Sequence, residues 1–146
     1  MKRPLRRILP AVLWMVLIFL FSASPGDESG RQSGRLIDLF LNFVRLCFGR
    51  DAAQWIMDTI PLQFLVRKLA HFCEYAVLGI LMVRAWENCA GALVICSLYA
   101  CTDEVHQYFV PGRAMQFRDV LIDSAGALFG IGLVALWRWR KRGERG

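Results

Sequence analysis

KLAHFCEY at Lys68–Tyr75, TDEVHQYF at Thr102–Phe109 and PGRAMQFRDVLIDSAG at Pro111–Gly126 place charged and hydrogen-bonding side chains at the ends of three long apolar runs. A lipid-facing span would not carry such groups. An ionisable side chain inside a bilayer is costly and tends to be functional. The central question is whether these three segments meet, and on which side of a membrane.

The apolar runs recur at a length of about 20 residues, which suits a bilayer crossing. The spacing predicts spans at about 8–24, 66–86, 89–110 and 119–139 in a single domain covering 1–146. The expected fold is all-α: four transmembrane helices in a compact bundle, with amphipathic interfacial helices in an outer loop at 25–65. Composition agrees. Of the 146 residues, 56% are hydrophobic, and the mean hydropathy of +0.40 is high for a soluble domain. The formal charge of +6 is concentrated beside the runs. Lys2, Arg3, Arg6 and Arg7 form one cluster; Arg138, Arg140, Lys141, Arg142 and Arg145 form the other. Charge placed this way marks the ends of membrane spans rather than a nucleic-acid surface. The five cysteines are odd in number, include no CxxC pair and lie mostly in apolar runs. They read as small hydrophobes rather than as a disulfide framework or a zinc site.

The first run, Ile8–Ser24, fits either a retained span or a signal peptide, because a basic start and small residues near Ala23 suit both. Pro10 falls in its first turn, where proline is tolerated. Pro25–Gly34 is rich in glycine and serine and reads as a loop. Leu36–Phe48 is one-sided at helical spacing, and a weaker pattern from Trp55 to Leu65 is broken by Pro61. Both pieces read as amphipathic helices at the membrane surface.

By the positive-inside rule both basic clusters are cytoplasmic, so four spans bring both termini inside. Every polar motif then falls in the outer half of the bundle. At about 100° per residue, Lys68, His71 and Tyr75 share a face with Glu74 at its edge. Asp103 and Gln107 stack one turn apart with Glu104 beside them. Asp119, Asp123, Gly126 and Gly130 form one stripe, in which Gly126-x-x-x-Gly130 is a small-residue seam suited to close helix contact.

These motifs resemble the VanZ-like family of small bacterial membrane proteins. KLAHFCEYAVLG is similar to its K-x-x-H-F-x-E-Y-x-x-L-G segment, TDEVHQYFVPGR to D-E-x-x-Q-x-F-x-P-x-R, and RDVLIDSAGALFG to D-x-x-x-N-x-x-G-x-x-x-G. FSASPGDESGRQS resembles the polar stretch after that family's first helix, which favours a retained first span. One departure is Asp123, where the family pattern has asparagine. The resemblance implies a multi-pass protein of the bacterial cell membrane, an association with resistance to the lipidated glycopeptide teicoplanin, and no agreed reaction.

Three readings of the cluster stand side by side. In the first it binds or modifies a membrane lipid, a lipid-linked envelope component or a lipidated antibiotic. Lys68, Arg113 and Arg118 would contact phosphate, and His71 with Glu74, Asp103 or Glu104 would be the candidate acid–base groups. Tyr75, Gln107, Asp119 and Asp123 complete the binding set. In the second, His71-x-x-Glu74 with Asp103 or Glu104 ligates a metal; no residue is assigned to a metal on this ground, and no cofactor is expected. In the third, the charges only neutralise one another and hold the helices in place. Oligomeric state is left open, and no nucleic-acid partner is expected.

Overall fold

A computed structural model describes residues 5–144. Lys2, Arg3 and Arg145, three members of the basic clusters, lie outside the described residues. Within them the chain is all-helical: α1 Leu5–Ser22, α2 Gly26–Phe48, α3 Arg50–Thr59, α4 Leu62–Trp86, α5 Cys89–Tyr108 and α6 Phe117–Gly143. Three of these, α1, α4 and α6, are long and apolar enough to cross a membrane, so the chain reads as a multi-pass membrane protein. The outer face of α1 is bare, with Leu9, Val12, Leu13, Val16 and Leu20 exposed, as lipid contact requires. The fourth expected span, α5, is long enough but carries Asp103 and Glu104 toward its C-terminus, which lowers its apolar character; it falls outside that set of three.

Two local expectations are corrected. The segment 25–34 is not a loop, because α2 begins at Gly26 and continues unbroken to Phe48. Pro25 stands at its N-cap with φ −54° and ψ 150°. Asp27 and Glu28 in the first turn complement the positive end of the helix dipole and offset part of the propensity cost of Gly30 and Gly34. Pro10 is not in a first turn either. With α1 starting at Leu5, proline sits a full turn inside the helix, where it cannot donate to the carbonyl four residues back.

The turns are set by chemistry that the sequence carries. Glu87 ends α4 in the left-handed region at φ 57°. Asn88 then caps α5 by accepting from the Gly91 N–H at 3.1 Å. This two-residue turn folds α5 back along α4. At the far end, Gly112 has φ +74° in the turn between α5 and α6. Gly26 donates its N–H to the Pro111 carbonyl at 3.1 Å, so the start of α2 is clasped to that turn.

The core is built on α4 and α6. A Cβ at Gly126 would stand 2.3 Å from the Phe72 carbonyl oxygen, and one at Gly130 would stand 2.0 Å from that of Ala76. From the other side, a Cβ at Gly79 would stand 2.3 Å from the Ala127 oxygen. The two backbones therefore touch along the expected seam, and only glycine fits there. Around it Tyr75, Leu78, Val83, Ala92, Cys96, Ala100, Ala127 and Ile131 form one apolar cluster joined by Ala11 and Ile18 of α1. A second, smaller cluster of Ile37, Leu41, Val44 and Ala53 joins α2 to α3 and leans on Leu62 and Val66 of α4.

The bundle has two unlike ends. One carries the N-terminal part of α1, the α4–α5 turn and the end of α6, and is basic. There Arg7 pairs with Glu87, Arg138 donates to the Val83 carbonyl and Lys141 covers the Trp137 ring. The other carries the ends of α1 and α5 and the starts of α4 and α6, where the polar motifs meet.

Candidate functional site

At that second end, α4, α5 and α6 each contribute one inward stripe. From α4 come Lys68, His71 and Tyr75, all buried; from α5, Asp103, Glu104 and Gln107; from α6, Asp119 and Asp123. The glycine seam explains the third group. It draws α6 against α4 close enough that residues one and two turns above Gly126 are shut off from solvent.

Several of these groups satisfy one another. Lys68 donates to both carboxylate oxygens of Asp119 in a pair that is nearly closed to solvent. Gln107 donates to Asp103 at 3.1 Å and accepts from Arg113 at 3.4 Å. Arg113 also donates through Nε to the Ser24 carbonyl at 3.2 Å. Glu104 accepts from the Gln116 backbone N–H at 2.8 Å, which fixes the start of α6 relative to α5. Trp14 of α1 donates to the Glu74 carbonyl at 2.8 Å, and the Tyr99 hydroxyl to that of Met15 at 2.6 Å.

Others are left without a hydrogen-bond partner: His71 Nδ1, the Tyr75 hydroxyl, Asp103 Oδ1, Glu104 Oε1, both oxygens of Asp123, and Arg67 Nε. Each buried polar atom of this kind costs free energy unless something outside the protein satisfies it.

Beside this cluster lies a cavity of about 250 Å³. It is walled by Phe21, Leu36 and Val66 and carries Arg67, His71, Glu74 and Arg113, with Ser22, Ser29, Gln32 and Ser33 on the side facing α1 and α2. Burial pulls the Arg113 guanidinium below its usual pKa, and the nearby Arg67 charge acts in the same direction; Asp103, Glu104 and Glu74 oppose it. Two like charges thus share one small space.

Of the residues singled out by sequence, Lys68, His71, Tyr75, Asp103, Glu104, Gln107, Asp119 and Asp123 come together in the buried cluster. Glu74 and Arg113 stand at its edge on the cavity. Arg118 does not join them: it is exposed and lies over the Phe64 ring at 5.1 Å. Lys68 is paired with Asp119, which takes two of its three N–H groups. Arg67 was missed, although its spacing to His71 and Glu74 puts all three on one helix face. Ser29, Gln32 and Ser33 were missed because their segment read as loop; as a helix they share a face at i, i+3 and i+4. His106 carries no assigned role and stacks on Phe19 with ring centroids 4.3 Å apart.

The family model described as VanZ/LLP1 matches residues 7–138 of the chain. No curated protein and no solved structure matches it.

Proposed function

Since the chain belongs to the VanZ/LLP1 family, we propose that it is a cell-membrane protein that binds the anionic headgroup of a lipid or lipid-linked envelope component in the cavity between Arg67 and Arg113. The observation that carries this reading is the pair of guanidiniums on one cavity. Arg113 uses two of its five N–H groups within the protein and Arg67 Nε uses none. A phosphate between them would receive bidentate hydrogen bonds and relieve the repulsion that now acts on Arg113. The apolar walls at Phe21, Leu36 and Val66 suit the chain of an amphiphile. A lipidated glycopeptide antibiotic shares this chemistry, which connects the reading to teicoplanin resistance.

The orientation follows from the basic end. Arg6, Arg7, Arg138, Arg140, Lys141 and Arg142 mark the cytoplasmic side, with α5 as the fourth span and both termini inside. The cavity then opens at the extracytoplasmic leaflet. The apolar face of α2 and α3, with Leu39, Phe43, Leu46, Phe48 and Trp55 exposed, lies in the interface plane around it. A reporter fused to the C-terminus checks this: activity on the cytoplasmic side is expected, and an extracytoplasmic signal overturns the orientation.

The binding claim is tested by titrating detergent-solubilised protein with short-chain phosphatidic acid and, separately, with short-chain phosphatidylcholine. Saturable binding of the anionic lipid, lost in Arg67→Gln and Arg113→Gln, is expected. Equal response to both lipids, or binding unchanged in both variants, contradicts it.

A second reading rests on the Lys68–Asp119 pair and the bond from the Gln116 N–H to Glu104. These tie α4 to α6 and α5 to the start of α6 with no ligand, so part of the cluster is structural. It leaves the two cavity arginines unexplained.

A further inference from the structure

His71, Asp103 and Asp123 are carried by three different helices, yet one ligand atom from each lies within 4.8 Å of the others. All three side chains are buried. His71 Nδ1 stands 3.6 Å from Asp123 Oδ1, close to the ~3.4 Å edge of a tetrahedron around an ion with bonds of about 2.1 Å.

The surrounding bonds leave this group short of positive charge. The buried cation of the cluster, Lys68, is engaged with Asp119. Arg113 donates to Gln107 and Ser24, not to a carboxylate. Asp103 has one oxygen bonded to Gln107 and the other bare; Asp123 is wholly closed to solvent with both oxygens bare; His71 Nδ1 is bare. The Tyr75 hydroxyl, also unpartnered and fully buried, lies within the field of Asp103 and Asp123. Buried carboxylates in such a place need a partner, and one ligand atom from each of the three residues converges on one volume.

We propose that His71, Asp103 and Asp123 form a binding site for one divalent first-row transition-metal ion of the Zn²⁺ or Mn²⁺ type. One imidazole and two carboxylates match the donor preferences of those ions. The set differs from a His71-x-x-Glu74 arrangement: Glu74 lines the cavity, and Asp123 takes its place because the Gly126–Gly130 seam pulls α6 onto α4. The ion neutralises the two carboxylates and ties the three helices at the polar end. His71 also lines the cavity, so the ion sits directly behind the headgroup site, though the metal site stands without that site being occupied.

The test uses full-length protein in detergent, stripped with chelator and then dialysed against Zn²⁺ alone or Mn²⁺ alone. Metal content is read by elemental mass spectrometry and stability by thermal unfolding. One ion per chain is expected for at least one metal, with a raised melting temperature. Binding at least ~10-fold weaker is expected in both Asp123→Asn and Asp103→Asn, each checked for native helicity and a single elution peak. Glu87→Gln, at the opposite end, keeps full binding. Metal no higher than in a buffer blank, or equal metal in correctly folded Asp123→Asn and wild type, overturns the proposal. Lipid binding unchanged in Arg67→Gln and Arg113→Gln, with one metal ion still held by the wild type, would be a failure of the headgroup reading alone.

Discussion

The two ends of the bundle each hold an ion pair between distant segments, and the pairs are opposite in kind. Arg7–Glu87 is open to solvent, with side chains 57% and 62% exposed. Lys68–Asp119 is closed, with side chains 10% and 7% exposed. In water, attraction and solvation nearly cancel, so an exposed pair adds little. In the interior both ions have given up their water, so each depends on the other. The basic end is a boundary whose charges are already open to solvent. The polar end is built so that removing one member strands the rest.

That contrast can be broken first at Lys68. Lys68→Ala leaves Asp119 buried without a cation and should destabilise the protein by about 3–5 kcal/mol, read as a fall in melting temperature or in the level of folded protein. A loss below ~1 kcal/mol would mean that water reaches Asp119. The seam between the ends comes next. Gly130→Ala sets a methyl group against the Ala76 carbonyl, backbone that cannot swing aside. It should cost about 1–3 kcal/mol in the same assay, and more than Gly132→Ala, where nothing lies within 4 Å. The smallest effect belongs to the basic end: Glu87→Gln should change stability by no more than about 1 kcal/mol, and less still at high salt. A large effect there would show that the two ends are not different in kind.

Much of the polar end was legible in sequence because helical phase is local. The spacing of Lys68, His71 and Tyr75, and of Asp119, Asp123, Gly126 and Gly130, dictates shared faces whatever the tertiary fold. What could not be read was which face meets which. That Lys68 takes Asp119, and that His71 faces Asp123 rather than Glu74, depends on how far α6 slides along α4. The glycine contacts with Phe72 and Ala76 fix this slide, and no spacing rule supplies it. The segment 25–34 misled for a different reason. Its Gly and Ser content argues for a loop, while Pro25, the acidic first turn and the clasp of Gly26 to Pro111 hold a helix. That helix brings Ser29, Gln32 and Ser33 to the cavity. Arg118 misled because charge and proximity in sequence do not set direction: one residue from Asp119, it turns outward onto Phe64.

The most direct measurement of the headgroup reading is native mass spectrometry of the protein released from membrane, comparing arginines at the two ends. Wild type should retain a phosphate-bearing lipid. Arg67→Gln/Arg113→Gln should lose it, and Arg84→Gln/Arg138→Gln, at the basic end, should keep it. Retention in the first variant with loss in the second would place lipid recognition at the wrong end of the molecule and contradict the account.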